Sequence, residues 1–62
     1  MNERFKLNTL KCYIVYLLEK HDWEYNVEHD AHINFVLGNR EIFTRELTIE
    51  QLEEVIKIIS GW

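Results

Sequence analysis

Cys12, His21, His29 and His32 have the strongest claim to chemistry in this sequence, together with a scatter of carboxylates. A thiol becomes a nucleophile when an imidazole touches it. On one helix, at ~100° per residue, Cys12 and His21 fall on roughly opposite sides, so they cannot make that contact. Cys12 reads instead as a small apolar residue at a packed surface. His29 and His32 form a His-x-x-His spacing beside Glu28 and Asp30, which invites a metal. A zinc site needs three or four converging ligands, usually from more than one element. Two imidazoles at one hairpin tip fall short of that, and a solvated turn is the plainer reading. A metal-dependent site at this tip is kept as an alternative. Imidazoles titrate between about pH 5 and 8, which does not by itself make a switch.

Glu24 with Glu28, and Glu50 with Glu54, are carboxylate pairs on shared faces. General acid–base work needs a cleft that pushes the two pKa values apart. These pairs lie on faces that should be solvated. Gly38 and Gly61 are the only glycines, so there is no phosphate-cradling loop. No enzymatic activity, metal or cofactor is expected.

The elements that carry these residues follow from length and patterning. A chain of 62 residues makes one domain at most, residues 1–62. A domain this small buries only about 60% of its unfolded surface, and such domains usually add a staple, a metal or a partner chain. Cys12 is the sole cysteine, which excludes an internal disulfide and suits a reducing, cytoplasmic setting. The 47% hydrophobic content argues for a folded chain. A net charge of −4 offers no basic stripe for nucleic acid and no cationic face for a membrane surface. The apolar run Cys12–Leu18 is too short to cross a bilayer. Lys11 interrupts the wider apolar stretch and no small-residue cleavage site follows, so no secretory leader is expected. Direct nucleic-acid binding and membrane association are not expected.

Leu10–Leu18 is the longest apolar stretch. Its flanks, free of Gly and Pro, favour a helix from about Asn8 to Lys20, with Asn8 or Thr9 as N-cap and Met1–Lys6 frayed. Leu7, Leu10, Ile14, Leu17 and Leu18 share its core face, with Tyr13 at the edge. Phe5, Cys12 and Tyr16, flanked by Val15, project to the other side, where a surface helix should be polar.

Trp23–His29 and His32–Leu37 alternate with the period of half-buried strands. A two-residue Asp30-Ala31 turn would mix their faces. A three-residue loop, His29-Asp30-Ala31, pairs Val27 with Ile33, Tyr25 with Phe35 and Trp23 with Leu37, and puts all six on one face. That loop needs a positive φ at Asp30 or a neighbour. Gly38-Asn39 predicts a two-residue hairpin leading to a third strand, Arg40–Arg45, with Phe35 facing Ile42 and Ile33 facing Thr44. Val36 and Phe43 then interrupt an otherwise polar open sheet face.

Thr48 and Gln51 predict a capping box, and Leu47 with Leu52 a hydrophobic staple, at the start of a last helix. Its inner stripe is Ile49, Leu52, Val55, Ile56 and Ile59. Gly61 should end it, with Trp62 folding back on its last turn.

The result is a two-layer α+β domain: helix, three-stranded antiparallel sheet, helix, with both helices on one sheet face. Double-stranded-RNA-binding domains share this element order. They grip phosphate with a basic cluster where this chain has Thr48-Ile49-Glu50-Gln51-Leu52-Glu53-Glu54, which would repel it.

An exposed apolar patch marks a partner or a second copy of the chain. Phe5, Cys12, Val15 and Tyr16 on the first helix, with Val36 and Phe43 on the sheet, are therefore the expected partner-binding residues. The expected function is a non-enzymatic protein-binding module, a small regulator or inhibitor of a larger protein, forming a homodimer. An alternative is an acidic nucleic-acid mimic, presenting Glu24, Glu28, Glu41, Glu50, Glu53 and Glu54 to a basic groove.

Overall fold

The computed structural model describes residues 3–62. Helix α1 spans Glu3–Lys20, strands β1, β2 and β3 span Asn26–Val27, Ile33–Leu37 and Arg40–Phe43, and helix α2 spans Ile49–Ser60. The strands form one antiparallel sheet in the order β1-β2-β3. Both helices cover the same sheet face. Ile14, Leu17 and Leu18 of α1, Ile33 and Phe35 of β2, and Leu52, Val55 and Ile59 of α2 form one buried cluster between the layers. The α+β architecture read from the sequence is the one observed.

Helix α1 begins by Glu3 rather than at Asn8. Arg4, Phe5, Lys6 and Leu7 contain no helix breaker, and Glu3 sits in the first turn, where the helix dipole favours a carboxylate. Thr9 does not cap; its hydroxyl donates back to the Phe5 carbonyl at 2.9 Å, within the helix. Met1 and Asn2, the head of the stretch expected to fray, lie outside the described residues.

The helix ends in a Schellman arrangement built on an aspartate. Asp22 takes a φ of 57°. Its N–H donates to Glu19 O at 3.1 Å, and Trp23 N–H donates to Leu18 O at 2.8 Å. This is why the first strand is short. Trp23 is committed to the helix end, and only Asn26 and Val27 enter the sheet. Their register is that of the three-residue loop: Val27 opposite Ile33, Asn26 opposite Asn34, with Asp30 at a φ of 58°. The longer pairing, Tyr25 with Phe35 and Trp23 with Leu37, does not form. Trp23 is 39% and Val27 72% exposed, so neither lies in the core.

Side chains continue the ladder where the flanking strands stop. The observed register would set Glu24 opposite Val36; instead Trp23 Nε1–H donates to the Val36 carbonyl at 2.7 Å. At the other end β3 stops at Phe43 and the chain turns through Thr44–Glu46. Thr44 does meet Ile33, as expected, but through its hydroxyl and not as a strand residue.

Gly38 takes a φ of 68° at the first position of the β2–β3 turn, where a type II′ hairpin reserves glycine. Phe35 pairs with Ile42, Val36 with Glu41 and Leu37 with Arg40. Helix α2 has the full capping box: Gln51 N–H donates to Thr48 Oγ1, and Thr48 N–H to Gln51 Oε1. Leu47 packs on the core cluster, which includes fully buried Leu52. Gly61 closes the helix in right-handed conformation, at a φ of −84°. The Trp62 ring packs against Trp23, with centroids 4.7 Å apart, and edge-on to His21 at 5.7 Å.

Candidate functional site

Among the described residues, the outer face of α1 carries a run of uncovered apolar side chains. Phe5 is 60% and Tyr16 56% exposed, with Cys12 exposed between them. Residues seven and four apart on a helix stand on one face, so the three form a single stripe. Tyr13, assigned to the core edge from its phase, is 46% exposed and stacks on Tyr16 with ring centroids 5.9 Å apart. The stripe is thus wider than its pattern suggested. Val15 is half-buried and packs on the core. It leads from the stripe into a small apolar groove of about 230 Å³ between α1 and β1, lined by Lys11, Cys12, Val15, Tyr25, Val27 and Ile33.

Val36 and Phe43 belong to a different surface, the sheet face that no helix covers. Val36 is half exposed, while Phe43 lies beneath the Arg45 guanidinium, 5.1 Å from its ring centroid. A shallow concavity of about 740 Å³ runs over this face, and its walls include Asp22, Trp23, Glu24, Asn34, Val36 and Glu41. The six expected partner-binding residues therefore divide between the two layers of the domain.

The acidic residues divide as well. Glu24 and Glu41 border the sheet-face concavity, whereas Glu50, Glu53 and Glu54 stand on α2. Glu28 forms an ion pair with Arg45, and its Oε1 is buried without a partner among the described residues. The carboxylates do not make one continuous array.

Lys11 is the residue that composition and pattern did not bring forward. It is only 5% exposed. Its Nζ lies 2.9 Å from His32 Nδ1, at the base of the β1–β2 tip. While Lys11 is charged its ammonium has only donors, so it donates and His32 Nδ1 accepts, in the tautomer with the ring proton on Nε2. Burial pushes the Lys11 pKa below its ordinary 10.5, and the nearby Asp30 carboxylate draws it partly back. The signal was in the spacing: Lys11 shares the helical phase of Leu7, Ile14 and Leu18, the core face itself.

Among the described residues no three His, Cys, Asp or Glu side chains converge as metal ligands would. His32 Nδ1 is already in hydrogen-bond contact with Lys11 Nζ. His21 rests against Trp62, at the end of α1, and Cys12 opens onto the groove. No helix among the described residues is long and apolar enough to cross a membrane. A comparison with known families, curated proteins and solved structures found no match.

Proposed function

We propose that this chain is a non-enzymatic protein-binding module of the cytoplasm, a small regulator or inhibitor of a larger protein, which self-associates through the outer face of α1. The observation that carries this reading is the exposed stripe of Phe5, Cys12, Tyr13 and Tyr16, continuous through Val15 with the α1–β1 groove. Leaving such a surface in water forgoes about 25 cal/mol per Å² of apolar area. In a twofold dimer the same patch meets itself, so two α1 helices would cross antiparallel near Cys12. The free, exposed thiol supports a reducing compartment.

Sedimentation of wild type and Tyr16→Glu over a range of concentrations tests the reading. Wild type should dimerise as concentration rises, and Tyr16→Glu should remain a monomer. A wild-type chain that is monomeric at high micromolar concentration overturns self-association. The stripe would then serve a different protein.

A further inference from the structure

We propose that the Lys11–His32 contact is a proton-operated latch: it holds the β1–β2 tip on α1 while His32 is neutral, and releases the tip when His32 takes up a proton. The geometry sets the logic. Lys11 Nζ and His32 Nδ1 are 2.9 Å apart, and α1 packs on the His29–Ala31 turn beside them. One proton on the line between two nitrogens makes a hydrogen bond, whichever nitrogen holds it. A second proton leaves two donors and no acceptor, with two positive charges at contact distance inside a half-buried site. The arrangement then has to open. Lys11, 5% exposed and anchored in the middle of α1, has little room to turn away. The tip moves more easily, because it is a short turn that bends through the left-handed Asp30.

The tip carries a second imidazole, His29, beside the charges that reach this site from other elements. Lys11 comes from α1. Asp30 on the tip attracts the ammonium and favours the closed state. Glu28, at the base of the tip, is engaged by Arg45 from the Thr44–Glu46 turn. No carboxylate among these bonds to His32 in a way that would neutralise its second proton.

The latch borders the apolar groove, since Lys11 lines it and Val27 and Ile33 lead directly into the tip. Release would widen the groove, so acidification would alter the binding surface. That last step rests on the protein-binding reading above; the latch itself does not.

Hydrogen exchange of the tip amides tests the latch on the chain as it stands. Two backbone bonds close the tip: Glu28 N–H to His32 O at 2.7 Å and His32 N–H to His29 O at 3.2 Å. If opening takes up one proton, protection at these amides should fall about tenfold per pH unit on the acid side of the imidazole titration. His32→Gln keeps an acceptor that does not titrate, and Lys11→Met removes the second cation. Both variants should show flat protection. Wild-type protection that follows His32→Gln from about pH 5 to 8 overturns the latch. Sedimentation at both ends of that range separates the two proposals. A pH-dependent tip in a chain that stays monomeric supports the latch and removes the dimer. A dimer with flat tip protection does the reverse.

Discussion

The Thr44 hydroxyl closes both open groups of Ile33: it accepts the Ile33 N–H at 2.9 Å and donates to the Ile33 carbonyl at 3.0 Å. One side chain thus does the work of a strand residue, at a site 1% exposed. Thr44→Val preserves shape and removes both bonds. It should cost roughly 2–5 kcal/mol, because two buried backbone groups lose their partners. Thr44→Ser keeps the hydroxyl and should cost only about 1 kcal/mol, for one lost methyl. Urea unfolding compares them, and equal midpoints would show that the hydroxyl is not what completes the ladder.

Trp23 plays the same part toward Val36 at an exposed site. Trp23→Phe should cost about 1 kcal/mol for the lost hydrogen bond. Trp23→Ala should cost more, because it also removes the ring packed on Trp62. The indole N–H signal of Trp23 should exchange slowly with solvent in the wild type. Fast exchange would contradict the bond to Val36.

Lys11 makes stability depend on alkaline pH. Its pKa in the folded chain lies below 10.5, chiefly through burial. Between the two values the unfolded chain binds the extra proton, so stability should rise as pH climbs toward 10.5. Lys11→Met should abolish that rise and cost about 1 kcal/mol at pH 7, since His32 Nδ1 loses the partner that holds the tip on α1. Thermal melts from neutral to alkaline pH check both. A rise that persists in the Met variant would assign it to another group.

Tyr25 works in the opposite sense. Its phenol donates to Glu19 at 3.0 Å, which, with some burial, raises its pKa above 10.0. The raised value means that this contact contributes fully below pH 10.0 and is lost as pH climbs through the folded pKa. Glu19→Gln should bring the Tyr25 ionisation down toward 10.0. Absorbance titration near 295 nm, read against Tyr25→Phe to isolate this phenol, would refute the assignment if Glu19→Gln left it unmoved.

Periodic and capped elements were legible from the sequence. The α2 capping box is written in Thr48 and Gln51, the β2–β3 turn in Gly38-Asn39, and the β1–β2 register in the alternation around His29-Asp30-Ala31. What the sequence hid was the reassignment of polar and aromatic residues by tertiary context. Trp23 alternates with Tyr25 and Val27 as a strand residue should. Yet Asp22 adopts a conformation usually left to glycine and gives Trp23 to the end of α1. Lys11 occupies a core phase, but a lysine there is ordinarily read as solvent-facing. Its partner, His32, is distant in sequence, so no local pattern could join the two. The α1 stripe was visible because its residues share one helix. The groove beside it was not, because β1 supplies its other wall.

The substitution of side chains for backbone beside β2 also bears on how the protein behaves when concentrated. The open edge of a strand offers the next chain a row of alternating donors and acceptors, the template on which fibres grow. An indole or a threonine hydroxyl satisfies one residue and offers no such row. With only Asn26 and Val27 in the outer strand on that side, a foreign strand finds almost nothing to copy. The β1 edge should therefore not seed amyloid-like ribbons in crowded solutions, and any strand addition should fall on β3, the other edge of the sheet.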